Sequence, residues 1–310
     1  MKLMMVIPCY NEELVLHETT QQLTKVLDDL QTNKQLEAWE ILYVDDGSKD
    51  TTWSIINAQH EVDNRVHGLK LAHNVGHQLA LWAGYENVVD KADAIVSMDA
   101  DLQHDIHSIG AMLTQYHAGY DVVYGVRNDR ATDGWFKKQT ALGFYRLMHG
   151  MGVDVIKNHA DYRLLSNRAL KALVSYPERN IFIRGMVRTI GFRETEVKFD
   201  VKERYAGESK YTLRKMLNFA IDGITSFSVQ PLRLIASMGL MIVVLSICAA
   251  IYVLVSYLLG RLAPGWASLL LSIWFIGGVQ LLAVGILGEY IGKIYRETKQ
   301  RPRYIIEEQL

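Results

Sequence analysis

The chain has 310 residues and a net charge of −1 at pH 7, from 33 Lys and Arg against 34 Asp and Glu. That length allows roughly two domains and a sizeable core, and the balance lacks the basic surplus of a nucleic-acid binder. Only Cys9 and Cys248 are present, too few for a disulfide framework and in keeping with a reducing compartment, where each reads as a small buried apolar residue.

Lys2 to Ile7 predicts a first strand; its apolar run is too short for a secretory signal, and Pro8 ends it. A polar turn follows, and then Leu16, Leu23, Val26, Leu27 and Leu30 recur at helical spacing. Trp39 to Val44 predicts a second strand running into Asp45-Asp46-Gly47-Ser48, with a helix opening near Asp50. Gly68 to Ala72 predicts a third strand, leading to His73-Asn74-Val75-Gly76-His77 and a helix from Leu79 to Val89. This alternation is the α/β signature of a mostly parallel sheet with ligands at the carboxyl ends of its strands.

The next strand, from Ala94, delivers Asp99-Ala100-Asp101. Two carboxylates at that spacing can converge on one hard cation, and Mg²⁺ or Mn²⁺ held by Asp99 and Asp101 keeps positions open for diphosphate oxygens. Taken alone, the triplet also reads as an ordinary Asp-rich loop. A helix to about Tyr116 and a strand over Asp121 to Val126 then lead to Arg127. Neither a Gly-x-Gly-x-x-Gly turn nor a P-loop occurs, so phosphate falls to metal and basic side chains. His77 and His104 read as loop hydrogen bonders, since no second His or Cys stands at ligand spacing. Asp45 reads equally as a cap of its own turn and as a direct contact.

Beyond a helix expected over Gln139 to Met151 come Ala160-Asp161-Tyr162-Arg163 and a tract from Arg184 to Lys215 in which basic residues outnumber acidic ones. Apolar residues from Leu213 to Phe227 repeat every three to four positions, as in a helix lying at a membrane interface or packing on a soluble domain; its place beside an apolar span favours the interface. Leu234 to Leu259 and Trp266 to Leu287 are each long enough to cross a bilayer, and the short turn Gly260 to Gly265 makes them a hairpin. Arg214, Lys215 and Arg233 precede it, and Lys293, Arg296, Lys299, Arg301 and Arg303 follow, placing both flanks on the cytoplasmic side of a cell membrane. The expected division is a catalytic domain over 1–212, a juxtamembrane helix over 213–232, two spans over 233–290 and a basic tail over 291–310.

Five motifs occur in order: Pro8-Cys9-Tyr10-Asn11-Glu12, Asp45-Asp46-Gly47-Ser48, Asn74-Val75-Gly76-His77, Asp99-Ala100-Asp101-Leu102-Gln103 and Gly207-Glu208-Ser209-Lys210-Tyr211. With the hairpin and the segment Gly288 to Tyr295 behind them, they resemble the family-2 glycosyltransferases that act on polyprenyl phosphates. Bactoprenol glucosyltransferases and dolichol-phosphate mannose synthases belong to this group, and the resemblance covers nearly the whole chain. It implies a GT-A, Rossmann-like catalytic domain and inverting, metal-dependent transfer from a UDP-sugar, glucose or N-acetylglucosamine favoured, to undecaprenyl phosphate for cell-surface glycan modification. It also implies a homo-oligomer.

The resemblance further implies nucleotide-binding positions at Pro8, Tyr10, Glu12, Asp46, Asn74, Gly76 and Asp99, with Asp46 the partner of the uracil ring. Asp99 and Asp101 look like metal and diphosphate ligands, with Gln103 nearby. Asp161 and Arg163 resemble the family's active-site pair, acting with Asp101, while Arg127, Arg204, Ser209 and Lys210 look like ligands of the lipid phosphate. Two departures are His73, where related chains often carry Arg, and Ile106, where Pro is common. A phosphate monoester has its second pKa near about 6, so the nucleophile is already ionised. Asp161 is therefore expected to orient the sugar or phosphate, or to stabilise charge at the anomeric carbon, rather than to remove a proton. Loops near Trp135, Asn158 and Arg184 are expected to set the sugar. Two alternatives stay open: a membrane nucleotide-sugar sensor or scaffold, and a transferase using GDP-mannose or UDP-aminoarabinose.

Overall fold

The structure, a computed structural model, describes residues 1–128, 159–200, 224–225, 228–259 and 265–310. The helix expected over Gln139 to Met151, most of the expected interface helix, and Trp135, Asn158, Arg204, Ser209 and Lys210 lie outside the described residues.

Strands and helices alternate as β1 (Lys2–Cys9), α1 (Leu16–Thr32), β2 (Ala38–Asp45), α2 (Thr52–Val62), β3 (Val66–Leu71), α3 (His77–Val88), β4 (Ala94–Ser97), α4 (Ser108–His117) and β5 (Val122–Arg127). These follow the sequence reading to within a few residues. There follow β6 (His159–Ser166), α5 (Asn167–Val174), α6 (Ile183–Thr189), β7 (Glu194–Phe199), α7 (Gln230–Leu258), α8 (Trp266–Lys299) and β8 (Ile306–Gln309).

The eight strands form one sheet in the order β7-β5-β6-β4-β1-β2-β3-β8. Parallel pairing joins β3, β2, β1 and β4, and also β5 and β7; β6 runs antiparallel between β4 and β5, and β8 runs antiparallel along β3. Nearly every residue of β1 is buried because both faces are covered. Alternate side chains serve opposite cores: Leu3, Met5 and Ile7 meet α1, α2 and α4, whereas Met4 and Val6 meet α3 and the α5–α6 layer. The chain leaves β1 on one side for β2 and returns on the other as β4, and at that reversal the strand ends part to leave a crevice.

Helices α7 and α8 are each long and apolar enough to cross a membrane. Their apolar side chains, among them Leu240, Leu254, Trp274 and Leu281, are exposed rather than packed on the rest of the chain. Cys9 is buried as expected, but Cys248 is exposed on α7, where no described residue covers it. A Cβ built on Gly288 or Gly292 would meet nothing within 4 Å, so neither marks a close contact inside the described hairpin. The last three turns of α8 return to the protein: the Tyr290 hydroxyl donates to the Ser228 carbonyl at 2.6 Å, and Lys293 is 6% exposed. The tail beyond them is more than a basic extension, since it adds β8 to the sheet edge and ties Leu310 N–H to the Gly68 carbonyl at 2.9 Å.

Candidate active site

The crevice is a cleft of about 770 Å³. It gathers Pro8, Tyr10, Glu12, Asp46, Asn74, Gly76, Asp99, Asp101, Gln103, Arg127 and Asp161 from six separate stretches of sequence. Arg163 is the exception: it does not line the cleft but is fully buried and pairs with Asp161, which does.

The loops after β1, β2 and β3 hold one another. Asn11 donates its N–H to Ser48 Oγ at 3.0 Å and accepts Lys49 N–H at 2.8 Å, while Glu12 N–H reaches Thr52 Oγ1 at 2.9 Å. Asp46 turns both carboxylate oxygens to the next loop, accepting Val75 N–H at 2.7 Å and Gly76 N–H at 2.9 Å. Burial pushes the Asp46 carboxyl up, only partly opposed by those two N–H groups. Asp45 does not line the cleft; its Oδ1 caps the turn by accepting Ser48 N–H at 3.1 Å, so the capping role is the one the fold realises. Gly47 sits where two loops touch, at φ +64°, and a Cβ there would lie 2.7 Å from the His73 carbonyl carbon. Gly47→Ala is therefore expected to lower stability by about 2 kcal/mol or more, read by thermal melting.

Asp99 and Asp101 stand at the mouth of β4. The backbone reverses just after them at Leu102, a buried residue held at φ +55°, and Asp101 Oδ1 accepts Gln103 N–H at 3.2 Å. A leucine in this region is strained, which marks a turn enforced by its surroundings. His77 Nε2 lies 3.5 Å from Asp99 Oδ1 and 3.7 Å from Asp161 Oδ2, so this histidine joins the two acidic centres. His104 is 1% exposed, stacks on Tyr162 and accepts the Asp99 N–H at 3.4 Å; burial holds its pKa down. Among the described residues no group of three or more His, Cys, Asp or Glu side chains is arranged to hold a metal ion, so neither imidazole is placed as a ligand. Two half-exposed carboxylates, one residue apart at a strand end, fit a hard cation whose remaining ligands come from diphosphate and water.

Asp161 is the most constrained acid in the cleft. β6 carries it past the end of β4, where Ser97 pairs with Arg163. Arg184 of α6 grips it with two bonds, Nε to Oδ1 at 3.1 Å and Nη2 to Oδ2 at 2.8 Å, and Arg163 Nη2 donates to Oδ1. Burial pushes the Asp161 carboxyl up, but Arg184 and Arg163 outweigh it, and the group sits well below the usual carboxylate range. An ionised carboxylate saturated by two guanidiniums is a poor proton acceptor and a firm anchor.

A model of the family described as Glycosyl transferase family 2 matches residues 4–174. The chain belongs to glycosyl transferase family 2. It is 52% identical over 306 residues to the uncharacterized glycosyltransferase YkoT of Bacillus subtilis (strain 168), covering 98% of this chain and 91% of that one. It is 40% identical over 309 residues to the bactoprenol glucosyl transferase of Shigella phage SfV, covering 99% and 98%. Among solved structures, glucosyl-3-phosphoglycerate synthase from Mycobacterium tuberculosis with Mn²⁺, UDP-glucose and phosphoglyceric acid covers 72% of this chain and 77% of its own, at TM-score 0.46 and 15% identity. Membership of this family makes the protein a glycosyltransferase.

This glycosyltransferase also carries wall residues that the motifs do not announce. Arg179, Asn180, Ile181 and Gln78 line the cleft, and Gln78 Oε1 accepts Ile183 N–H at 2.9 Å, docking α6 on α3. Except for Gln78 they lie beyond the residues that the family model matches. The nearest signals in the sequence are the sugar-setting loop expected near Arg184 and the basic tract that begins there, just beyond these residues.

Proposed function

We propose that the enzyme transfers a sugar, glucose or N-acetylglucosamine, from a UDP-sugar to undecaprenyl phosphate in a cell membrane, with inversion, supplying a lipid-linked sugar for surface glycan modification. The observation that carries this reading is the single cleft in which Asp99 and Asp101 face Arg127, Asp161 and Arg184, in a chain matched end to end by bactoprenol glucosyl transferases.

Asp99 and Asp101 would hold Mg²⁺ or Mn²⁺, which when bound supplies positive charge against the departing diphosphate. The chain's own residues do the rest. Pro8, Tyr10, Glu12 and Asn74 form the nucleotide end, and Asp46, assigned to the uracil ring on the family resemblance, fixes the Val75–Gly76 turn there. Asp161, ionised and fixed by two arginines, orients the sugar and favours positive charge at the anomeric carbon. A phosphate oxygen of the lipid attacks that carbon from the opposite face, and the bond to UDP breaks. Arg127 offers charge to the incoming phosphate within the cleft, and Arg204, Ser209 and Lys210 are assigned to the same phosphate on the family resemblance. Both spans, with the catalytic domain on their cytoplasmic side, bring the cleft to the lipid; the exposed apolar faces of α7 and α8 support this.

Detergent-purified enzyme incubated with undecaprenyl phosphate, Mg²⁺ or Mn²⁺ and a panel of nucleotide sugars is expected to give one new glycolipid mass, lost on chelation. UDP binding without product from any donor would overturn the transferase reading in favour of a sensor.

A further inference from the structure

The wall of the cleft opposite the nucleotide loops is built by residues 177–184, and it is held from outside by the far end of α8. Glu297, two residues before that helix ends, accepts three backbone hydrogen bonds: Arg179 N–H to Oε1 at 3.0 Å and to Oε2 at 2.8 Å, and Asn180 N–H to Oε1 at 2.8 Å. Two successive N–H groups aimed at one point form an anion-binding nest, and here the anion is supplied by the chain itself. Arg303 completes the grip: Nε donates to the Glu178 carbonyl at 3.0 Å and Nη2 to the Tyr176 carbonyl at 2.9 Å, while Nη1 is paired with Glu86 of α3 at 2.7 Å.

The held segment leads straight to chemistry. Arg179, Asn180 and Ile181 line the cleft, and Ile183 opens the helix whose Arg184 anchors Asp161. On its other side the same segment faces a second cavity, of about 680 Å³, lined from α8 by Tyr290, Lys293 and Glu297. One short stretch of backbone is thus shared between the sugar end of the donor site and the apolar helix that follows it in the chain.

We propose that Glu297 is a positioning residue for the transfer reaction: by clamping the Arg179–Asn180 backbone it sets the wall that receives the donor sugar, and it makes that wall depend on how α8 is seated. This rests on the proposed transferase function, in that the wall is assigned to the sugar. One oxygen, Oε1, accepts both N–H groups, and Oε2 accepts the Arg179 N–H as well. An amide at this position can keep Oε1 on both N–H groups but sets its own NH2 against the Arg179 N–H, so it replaces the clamp only in part.

The test uses the full-length enzyme in detergent or nanodiscs. Glu297→Ala is expected to raise the donor KM roughly tenfold, the scale of a lost charge-assisted hydrogen bond, with the KM for undecaprenyl phosphate unchanged. Hydrogen exchange at residues 177–184 should speed up while the β1–β2 core keeps its protection, and Glu297→Gln, which keeps one accepting oxygen on the nest, should fall between the alanine variant and the wild type in both readouts. Wild-type donor KM and wild-type exchange in Glu297→Ala would overturn the proposal. So would a Glu297→Gln variant as impaired as the alanine one. If the unmodified enzyme makes no glycolipid, the transferase reading fails, yet the exchange comparison still decides whether the clamp exists.

Discussion

Replacing Asp161 by alanine is expected to cost about 3–5 kcal/mol of folding stability, because it strands a buried cation. Arg163 has no exposed surface, and Asp161 is the acid that pairs with it; its Nε and Nη1 are buried without hydrogen-bond partners among the described residues. The strand cannot expel the side chain, since Arg163 is paired in register with Ser97 on one side and Tyr124 on the other. Denaturant unfolding in detergent measures the loss. Asp161→Asn keeps the shape and one accepting oxygen, so it is expected to fold better than the alanine variant and to retain a small residual turnover.

The same carboxylate sets a pH dependence whose sign follows from its depressed pKa. An acid stronger in the folded state than in the unfolded one stabilises the fold fully above its unfolded pKa of about 3.9. Its contribution drains away as the pH falls below that value toward the lower folded pKa. Asp45 and Asp46 act in the opposite sense: burial first of all raises both, so their share of stability is present below the unfolded value and is lost as pH rises through the folded one. Acid unfolding that is steeper in the wild type than in Asp161→Asn, with the difference developing below about pH 4, is the expected result.

The part of the site legible in the sequence was the part carried by parallel strands. β1, β2 and β4 are apolar runs that stop abruptly at polar turns, and the reversal of strand order puts those turns side by side. In the sheet, what stayed hidden was hidden by charge or polarity. β6 reads His-Ala-Asp-Tyr-Arg-Leu-Leu-Ser, which resembles no buried strand until Asp161 and Arg163 are seen to neutralise each other. β8 is exposed along its whole length, so no burial pattern announces it, and only its pairing with β3 makes it a strand. The cleft wall at Arg179 and Asn180 is made by backbone groups, and its partner Glu297 lies more than a hundred residues away on an apolar helix. Backbone donors leave no trace in side-chain spacing.

Asp99→Asn is expected to reduce turnover by roughly 10³-fold, about 4 kcal/mol of barrier, while leaving the melting temperature close to wild type. The asymmetry with Asp161 follows from exposure. Asp99 is 37% exposed at the cleft mouth and, among the described residues, is paired with two imidazoles, at 3.5 and 3.8 Å, whereas Asp161 is 13% exposed and carries two guanidiniums. Removing a charge from a solvated position costs the fold little. Removing it from the point where two anions must approach costs the reaction a great deal, because a departing diphosphate and an incoming lipid phosphate repel each other unless cations lie between them. The amide keeps the size of the side chain but binds a hard divalent cation far more weakly than a carboxylate does. Single-turnover rates at saturating UDP-sugar, taken across a Mn²⁺ titration, distinguish the causes. A loss that high metal partly repairs identifies Asp99 as a ligand, and a wild-type rate in the folded variant would remove the metal from this reading of the cleft.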